Sequence, residues 1–152
     1  MFKSTKKFVD ESSTTHRPGD KYKNVIKRIS DDGVCPFCPE YIKKYHKNPI
    51  IKSGRYWALT NNMYPYEGAK YHMLLIHKKH IENIADVSKG AWAELQSMVN
   101  AFVKTKKIKG GTLMMRFGET SHTGASVTHL HANLVSPDGE DKNRKPIITR
   151  IA

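Results

Sequence analysis

In Thr128-His129-Leu130-His131-Ala132-Asn133-Leu134-Val135, two imidazoles and a carboxamide recur at every second residue. A strand of that period carries His129, His131 and Asn133 on one face and Leu130, Ala132 and Leu134 on the other. An apolar side can then pack while a polar side is presented. The two imidazoles fit two metal ligands, one ligand and one nucleophile, or simply exposed strand histidines. Directly before them, Gly124-Ala125-Ser126 offers small residues, backbone amides and a hydroxyl where an anion could approach. The combination suggests a phosphate beside an imidazole. A neutral histidine nitrogen is a competent nucleophile toward phosphorus, and a covalent intermediate divides one hard displacement into two easier ones.

Cys35-Pro-Phe-Cys38 supplies half of a tetrahedral zinc site, which two imidazoles would close into a structural shell. His46 follows too soon and His80 too late for a C2H2 finger, so a helix in the major groove is a poor reading. A redox CxxC should open a helix after a central strand, and nothing here has that order. Two reduced, buried cysteines are the plain alternative.

The elements that must hold these groups fit into one domain, because 152 residues bury one sizeable core and not two. Hydrophobic residues make up 38% and charged residues 26%, a globular balance that excludes collagen, coiled coil and global disorder. Apolar runs such as Met73–Ile76 are far short of a bilayer span, and the first twenty residues hold no apolar signal region. A soluble, cytoplasmic chain with no membrane partner is expected. The formal charge of +12 points to an anionic ligand, with a merely solubilising basic surface as the alternative.

Residues 1–20 read as a flexible basic arm and 21–152 as the domain. Helical spacing is expected over residues 21–33, ended by Gly33, over 40–46, and over 88–107, with Ser88 as N-cap and Trp92, Met98 and Phe102 in the core. Strands are expected over 55–60, 71–77, 112–117 and 128–135. His72 reads as a packing or polar-edge residue, and His122 as a mobile surface histidine. Lys78, Lys79 and the lysines of 104–109 read as solvated basic faces. Lys142, Arg144 and Lys145 stand close enough to the polar strand to reach a polyphosphate.

Gly124-Ala125-Ser126-Val127-Thr128-His129-Leu130-His131 resembles the G-x-S-x-x-H-x-H signature of the histidine triad (HIT) superfamily of nucleotide hydrolases and transferases. Tyr71-His72-Met73-Leu74-Leu75-Ile76-His77-Lys78-Lys79-His80-Ile81 resembles that family's apolar strand ending in PKRH. Asn62-Met63-Tyr64-Pro65-Tyr66 resembles its NxYPY stretch. The likeness runs from Val34 to Pro137. It implies an α+β, HIT-like fold: an antiparallel sheet of about five strands, one main helix packed on it, and an N-terminal zinc knuckle.

The resemblance also implies roles. His131 attacks the α-phosphorus, Ser126 and the amides of Gly124 and Ala125 hold the α-phosphate, and Asn62 contacts the ribose. In the galactose-1-phosphate uridylyltransferase branch, which CPFCP resembles, structural zinc is held at the positions of Cys35, Cys38, His80 and His129. Asn133 stands at the third triad position, where hydrolase branches carry His and the uridylyltransferase-like branch Gln. An Asn can bond a phosphate oxygen but cannot deliver a proton near pH 7, which favours a good leaving group or transferase-like chemistry. His77 replaces the family's proline and reads as a solvent-facing strand end.

The activity implied is that of a nucleotide hydrolase or nucleotidyltransferase working through a nucleotidyl-histidine on dinucleoside polyphosphate-like substrates. The alternative is a catalytically weak nucleotide- or RNA-binding module held together by zinc, which the charge and the basic arm suit. Nucleic acid is the less favoured partner, and a homodimer is a further expectation from the superfamily.

Overall fold

The computed structural model describes residues 7–15, 17 and 19–152. Five strands, β1 (Ile50–Ser53), β2 (Trp57–Asn61), β3 (Ala69–His77), β4 (Thr112–Met115) and β5 (His131–Pro137), form one sheet in the order β1-β2-β3-β5-β4. Every neighbouring pair is antiparallel. The helices are α1 (Asp20–Asp32), α2 (Ile42–Tyr45), α3 (Lys89–Thr105) and α4 (Thr120–Thr123). The expected α+β architecture is present. Its fifth strand is β1, an exposed edge outside the strands expected from the sequence.

Pleating and one packed helix decide which face carries the polar groups. Trp57, Leu59, Met73, Leu75, Ala132 and Leu134 of the sheet bury against Ala91, Leu95, Met98 and Phe102 of α3. The alternate residues His72, Leu74, Ile76, His131 and Asn133 therefore fall on the opposite face. Register then sets their neighbours, with Leu74 opposite Asn133 and Ile76 opposite His131. A slip of one residue would turn the apolar set to solvent, so burial itself fixes the register.

Ser88 caps α3 as its position suggested, its Oγ accepting from the Ala91 N–H at 3.1 Å. Trp92, expected in the core, is 40% exposed, because the buried stripe runs through Ala91, Leu95, Met98 and Phe102 and leaves Trp92 about 100° round the helix from Ala91. Glu94, on the same helix, clamps the β1–β2 turn. Its carboxylate accepts from the N–H groups of Arg55 (2.7 Å), Tyr56 (2.8 Å) and Trp57 (2.8 Å). A Cβ at position 54 would lie 2.5 Å from Glu94 Cδ, so this approach requires Gly54. Glu94→Ala strands those three donors and should cost about 2 kcal/mol, read as a lower denaturant midpoint. An unchanged midpoint would show that water replaces the carboxylate fully.

The described part of the supposed loose arm is docked instead. Val9 is 3% exposed and bridges Val127, through Asp10 N–H to the Ser126 carbonyl (2.9 Å) and Thr128 N–H to the Phe8 carbonyl (3.0 Å). A 3-10 turn over Glu11–Thr14 follows, started by Asp10 Oδ1 accepting from the Ser12 N–H at 3.0 Å. Val9 and Val127 join Ile26, Ile29 and Tyr45 in a second buried cluster, away from α3. One β-branched residue with an open strand edge to pair with thus outweighs the polar composition around it. Residues 1–6, 16 and 18, which the arm reading also covered, lie outside the described residues. Among the described residues no helix is long and apolar enough to cross a membrane.

Candidate active site and zinc centre

Cys35, Cys38, His80 and His129 place their donor atoms within 4.8 Å of one another. Cys35 Sγ lies 3.3 Å from His129 Nδ1, and Cys38 Sγ lies 3.4 Å from His80 Nδ1. The knuckle is wound tightly, with the Tyr41 and Ile42 N–H groups both donating to the Cys38 carbonyl at 2.9 Å. Each histidine turns Nδ1 to the thiols and spends Nε2 elsewhere: His80 on Glu82 Oε1 (2.9 Å), His129 on the His77 carbonyl (2.5 Å). Outer partners of this kind fix the ring and its tautomer for a metal.

Burial pushes the Cys35 thiol up to about 12 and raises that of Cys38 as well, the opposite of an activated redox pair. A cation would supply the charge that deprotonates them. Two thiolates and two imidazoles fit zinc, and four protein ligands leave no position for substrate, so the centre is structural. His46, nearer in sequence to the CxxC, is not part of it; its Nε2 pairs with Thr60 Oγ1 at 2.8 Å.

His131 lies in a cleft on the same face of the sheet, opposite α3. The cleft is partly open to solvent and is lined by apolar and polar side chains together, among them Phe37, Leu74, Asn62, Ser126 and Asn133. The Phe37 ring meets both imidazoles edge-on, at 6.2 Å from His129 and 5.1 Å from His131, and stands at the boundary of the two centres. β5 starts at His131 and not at Thr128, and Leu130 just before it bonds both to the end of β3 and to the loop after it: its carbonyl accepts from the His77 N–H (3.1 Å) and its N–H donates to the Ile81 carbonyl (2.8 Å). That departure from strand geometry lets His129 reach the thiols. His131 Nδ1–H donates to the His129 carbonyl at 2.7 Å, which leaves the Nε2 lone pair unprotonated. Burial holds the His131 pKa below the usual histidine range against the pull of that carbonyl, and the Arg116 cation adds to the lowering.

His72, left out of the sequence-derived site, organises its polar wall. Tyr66 N–H donates to His72 Nδ1 at 3.0 Å, so the proton of the neutral ring sits on Nε2 and is donated to Asn133 Oδ1 at 2.9 Å. Asn133 is thereby held with its NH2 group as the free end. Asn62 Oδ1 accepts from the Tyr64 N–H at 2.8 Å, and its Nδ2 lies 3.1 Å from the same His72 nitrogen. The sequence signal for His72 was its place in the apolar β3 run, on the His131 face of the pleat.

Burial lowers the His72 pKa to about 4, the bond to Asn133 opposing and the charges of Arg17, His131 and Arg116 assisting. The unfolded histidine titrates near 6.5, so the unfolded chain binds more protons between pH 6.5 and 4. The stability this group contributes is whole above pH 6.5 and is lost as pH falls toward 4, by on the order of 3 kcal/mol. His72→Gln should flatten that part of the stability profile in denaturant titrations at pH 7 and 4.5. An equal pH dependence in both proteins would count against it.

Gly124, Ala125 and Ser126 line the cleft, but two expected amides are already engaged. Gly124 N–H donates to the Thr120 carbonyl (3.2 Å) and Ala125 N–H to Thr123 Oγ1 (3.1 Å). These bonds shape the loop, and Ser126 lines the cleft beside it. The cations of the cleft are Arg17 and Arg116, which the sequence did not single out. Lys142, Arg144 and Lys145 do not line it; Arg144 belongs to grooves beside Lys106 and Ile147. His77, expected to face solvent, is 5% exposed and packs edge-on to Trp57 at 4.9 Å.

A family model described as "Scavenger mRNA decapping enzyme C-term binding" matches residues 34–147. The chain belongs to this family, within the HIT superfamily. A search of curated proteins returns no match. Among solved structures, a HIT family hydrolase from Clostridium thermocellum is 25% identical, with a TM-score of 0.55 over 73% of this chain and 95% of that one. A hypothetical histidine triad nucleotide-binding protein from Sulfolobus tokodaii is 24% identical, with a TM-score of 0.55 over 76% and 80%. A zinc-bound histidine triad family protein from Mycobacterium smegmatis is 18% identical, with a TM-score of 0.56 over 74% and 82%. Membership carries a nucleotide-processing function at the level of the family. In this HIT-family chain His129 stands among the zinc donors, while His131 and Asn133 line the cleft.

Proposed function

We propose that this HIT-family chain transfers a nucleotide from a nucleoside 5'-phosphoryl compound through a covalent nucleotidyl-histidine on His131. The observation that carries the reading is the His131 ring. Its Nδ1–H is tied to the His129 carbonyl at 2.7 Å, so the basic Nε2 is the atom left for a ligand in the cleft. Nε2 attacks the α-phosphorus, and the bond from phosphorus to the leaving oxygen breaks with its electron pair going to that oxygen. Water, phosphate or an alcohol then attacks phosphorus and frees His131; when water is the acceptor, its proton passes to solvent. In this reading the Ser126 hydroxyl and the Asn133 NH2 group, from the cleft lining, donate to the α-phosphoryl oxygens. Asn62 is the ribose contact in this reading.

Dinucleoside polyphosphates are the substrate class we favour. Two arginines and no carboxylate line the cleft among the described residues, and the matched family is described by mRNA decapping, itself a cleavage at a nucleotide phosphate. Zinc would tie the knuckle to the sheet without touching substrate. The two free thiols suit a reducing, cytoplasmic compartment.

Incubation of the zinc-loaded chain with α-labelled diadenosine tetraphosphate, an alkaline quench and peptide mass analysis tests the reading. An adenylyl group on the peptide holding His131 supports it, and AMP with water or ADP with added phosphate sorts hydrolase from phosphorylase. Tight binding with neither label nor turnover overturns it in favour of a binding module.

A further inference from the structure

Arg116 follows the last residue of β4 and lines the cleft together with His131, Ser126 and Asn133. Its guanidinium is already gripped from one side. Nη2 donates to the carbonyl of Arg150 and, at 3.4 Å, to Thr149 Oγ1. Its Nε is buried and has no hydrogen-bond partner among the described residues. A buried donor of a permanent cation is costly to leave unpaired, and an acceptor on a ligand in the cleft satisfies it. No Asp or Glu among the described residues lines the cleft to neutralise this charge.

The strap that holds Arg116 also reaches the phosphate loop. A Cβ at Gly124, where φ is +63°, would lie 3.2 Å from Arg150 Cδ and Nε. Gly124 thus lets the Arg150 side chain lie against the loop while the Arg150 carbonyl orients Arg116. Thr149 and Arg150 are positioning residues, and Arg116 is the group that faces substrate.

Asn133, which lines the same cleft, has no proton to give near pH 7. A chain that breaks a phosphorus–oxygen bond without an acid must stabilise the departing group another way, and a fixed cation in a partly desolvated cleft does so without any proton transfer. Resting on the nucleotidyl-histidine reading, we infer that Arg116 takes the charge of the leaving group in place of a proton donor. The chain is thereby restricted to leaving groups that need no proton from the enzyme, phosphates and polyphosphates above all, and discriminates against alkylamines. In that step the His131 Nε2–phosphorus bond forms, the bridging phosphorus–oxygen bond breaks, and the oxygen leaves with the electron pair as a phosphate anion bonded to the guanidinium. No proton moves.

The test compares the full chain with its Arg116→Ala and Arg116→Lys variants on two substrates sharing one nucleotide. Diadenosine tetraphosphate releases a polyphosphate anion. Adenosine 5'-phosphorimidazolide, protonated at its far nitrogen by solvent, releases neutral imidazole. Arg116→Ala should lower kcat on the tetraphosphate by roughly 10²–10³-fold with a smaller change in KM, while the imidazolide still adenylylates His131 near the wild-type rate. Arg116→Lys should recover part of the tetraphosphate rate, since it returns charge without the planar fork. Equal losses on both substrates, in variants that keep their zinc and thermal midpoint, overturn the inference, as do unchanged rates on both. Should Arg116→Ala fail to fold, Arg116→Lys decides by the same comparison, with a selective loss on the tetraphosphate expected. A wild-type chain that labels His131 from neither substrate overturns the parent reading instead.

Discussion

Replacing His131 with Ala should abolish the nucleotidyl-enzyme and lower turnover on the order of 10⁴-fold or more, the scale on which removal of a covalent nucleophile acts. Folding should survive, because His131 touches none of the four zinc donors and its one ring bond is to the carbonyl two residues behind it. The changes in the fold are the lost edge contact with Phe37 and a little more space in a cleft already open to solvent. The measurement is a quenched labelling experiment beside steady-state rates, with zinc content and thermal midpoint as controls. Turnover within about tenfold of wild type would mean that water attacks phosphorus directly and that the chain needs no covalent step. Label on another histidine would move the nucleophile.

Removing the metal should have the larger effect on stability. The four donors join the knuckle before α2, the turn after β3 and the residue before Leu130, across sequence separations of 42, 91 and 94 residues. A link that closes loops of that length stabilises chiefly by restricting the unfolded chain, and structural zinc adds its own binding free energy to folding. Cys35→Ser, or exhaustive chelation, should cost several kcal/mol, a large share of the ~5–15 kcal/mol that holds a domain folded. Wild-type protein should carry one zinc per chain, and the apo form should show a markedly lower thermal midpoint. Activity should fall further than the folded fraction, because the His129 carbonyl that orients His131 belongs to a zinc ligand. A midpoint indifferent to chelation, or purified protein without metal, would sink the assignment.

Much of this molecule could be read residue by residue. The apolar run of β3, the alternation of β5, the Ser88 cap and the Gly33 stop are local signals, each carried by a few neighbouring residues that the fold respects. What escaped was set by partners distant in the chain. Val9 sits in a polar stretch and is buried only because the edge at Val127 is free to pair. Trp92 has the spacing of a core residue and lies outside it because the phase of α3 is chosen by Ala91, Leu95, Met98 and Phe102 together. His77 reads as a surface departure from a proline and is buried against Trp57. Arg17 and Arg116 carry no motif, and their importance appears only once their side chains line the cleft.

By itself, the sequence determined the chemistry available and the face that bears it, because residue type and period-two alternation are local properties that any apolar partner would enforce. Cys35 and Cys38 were visible as a metal pair for the same reason: two thiols three residues apart share one turn. Tertiary structure decided how those groups are divided. It drew His129 out of the strand toward the thiols and left His131 on the strand, by backbone bonds from Leu130 to the end of β3 and to the loop after it. It also turned Asn133 with His72 and anchored Arg116 in the cleft lining, since both depend on hydrogen bonds between residues 61 and 34 positions apart.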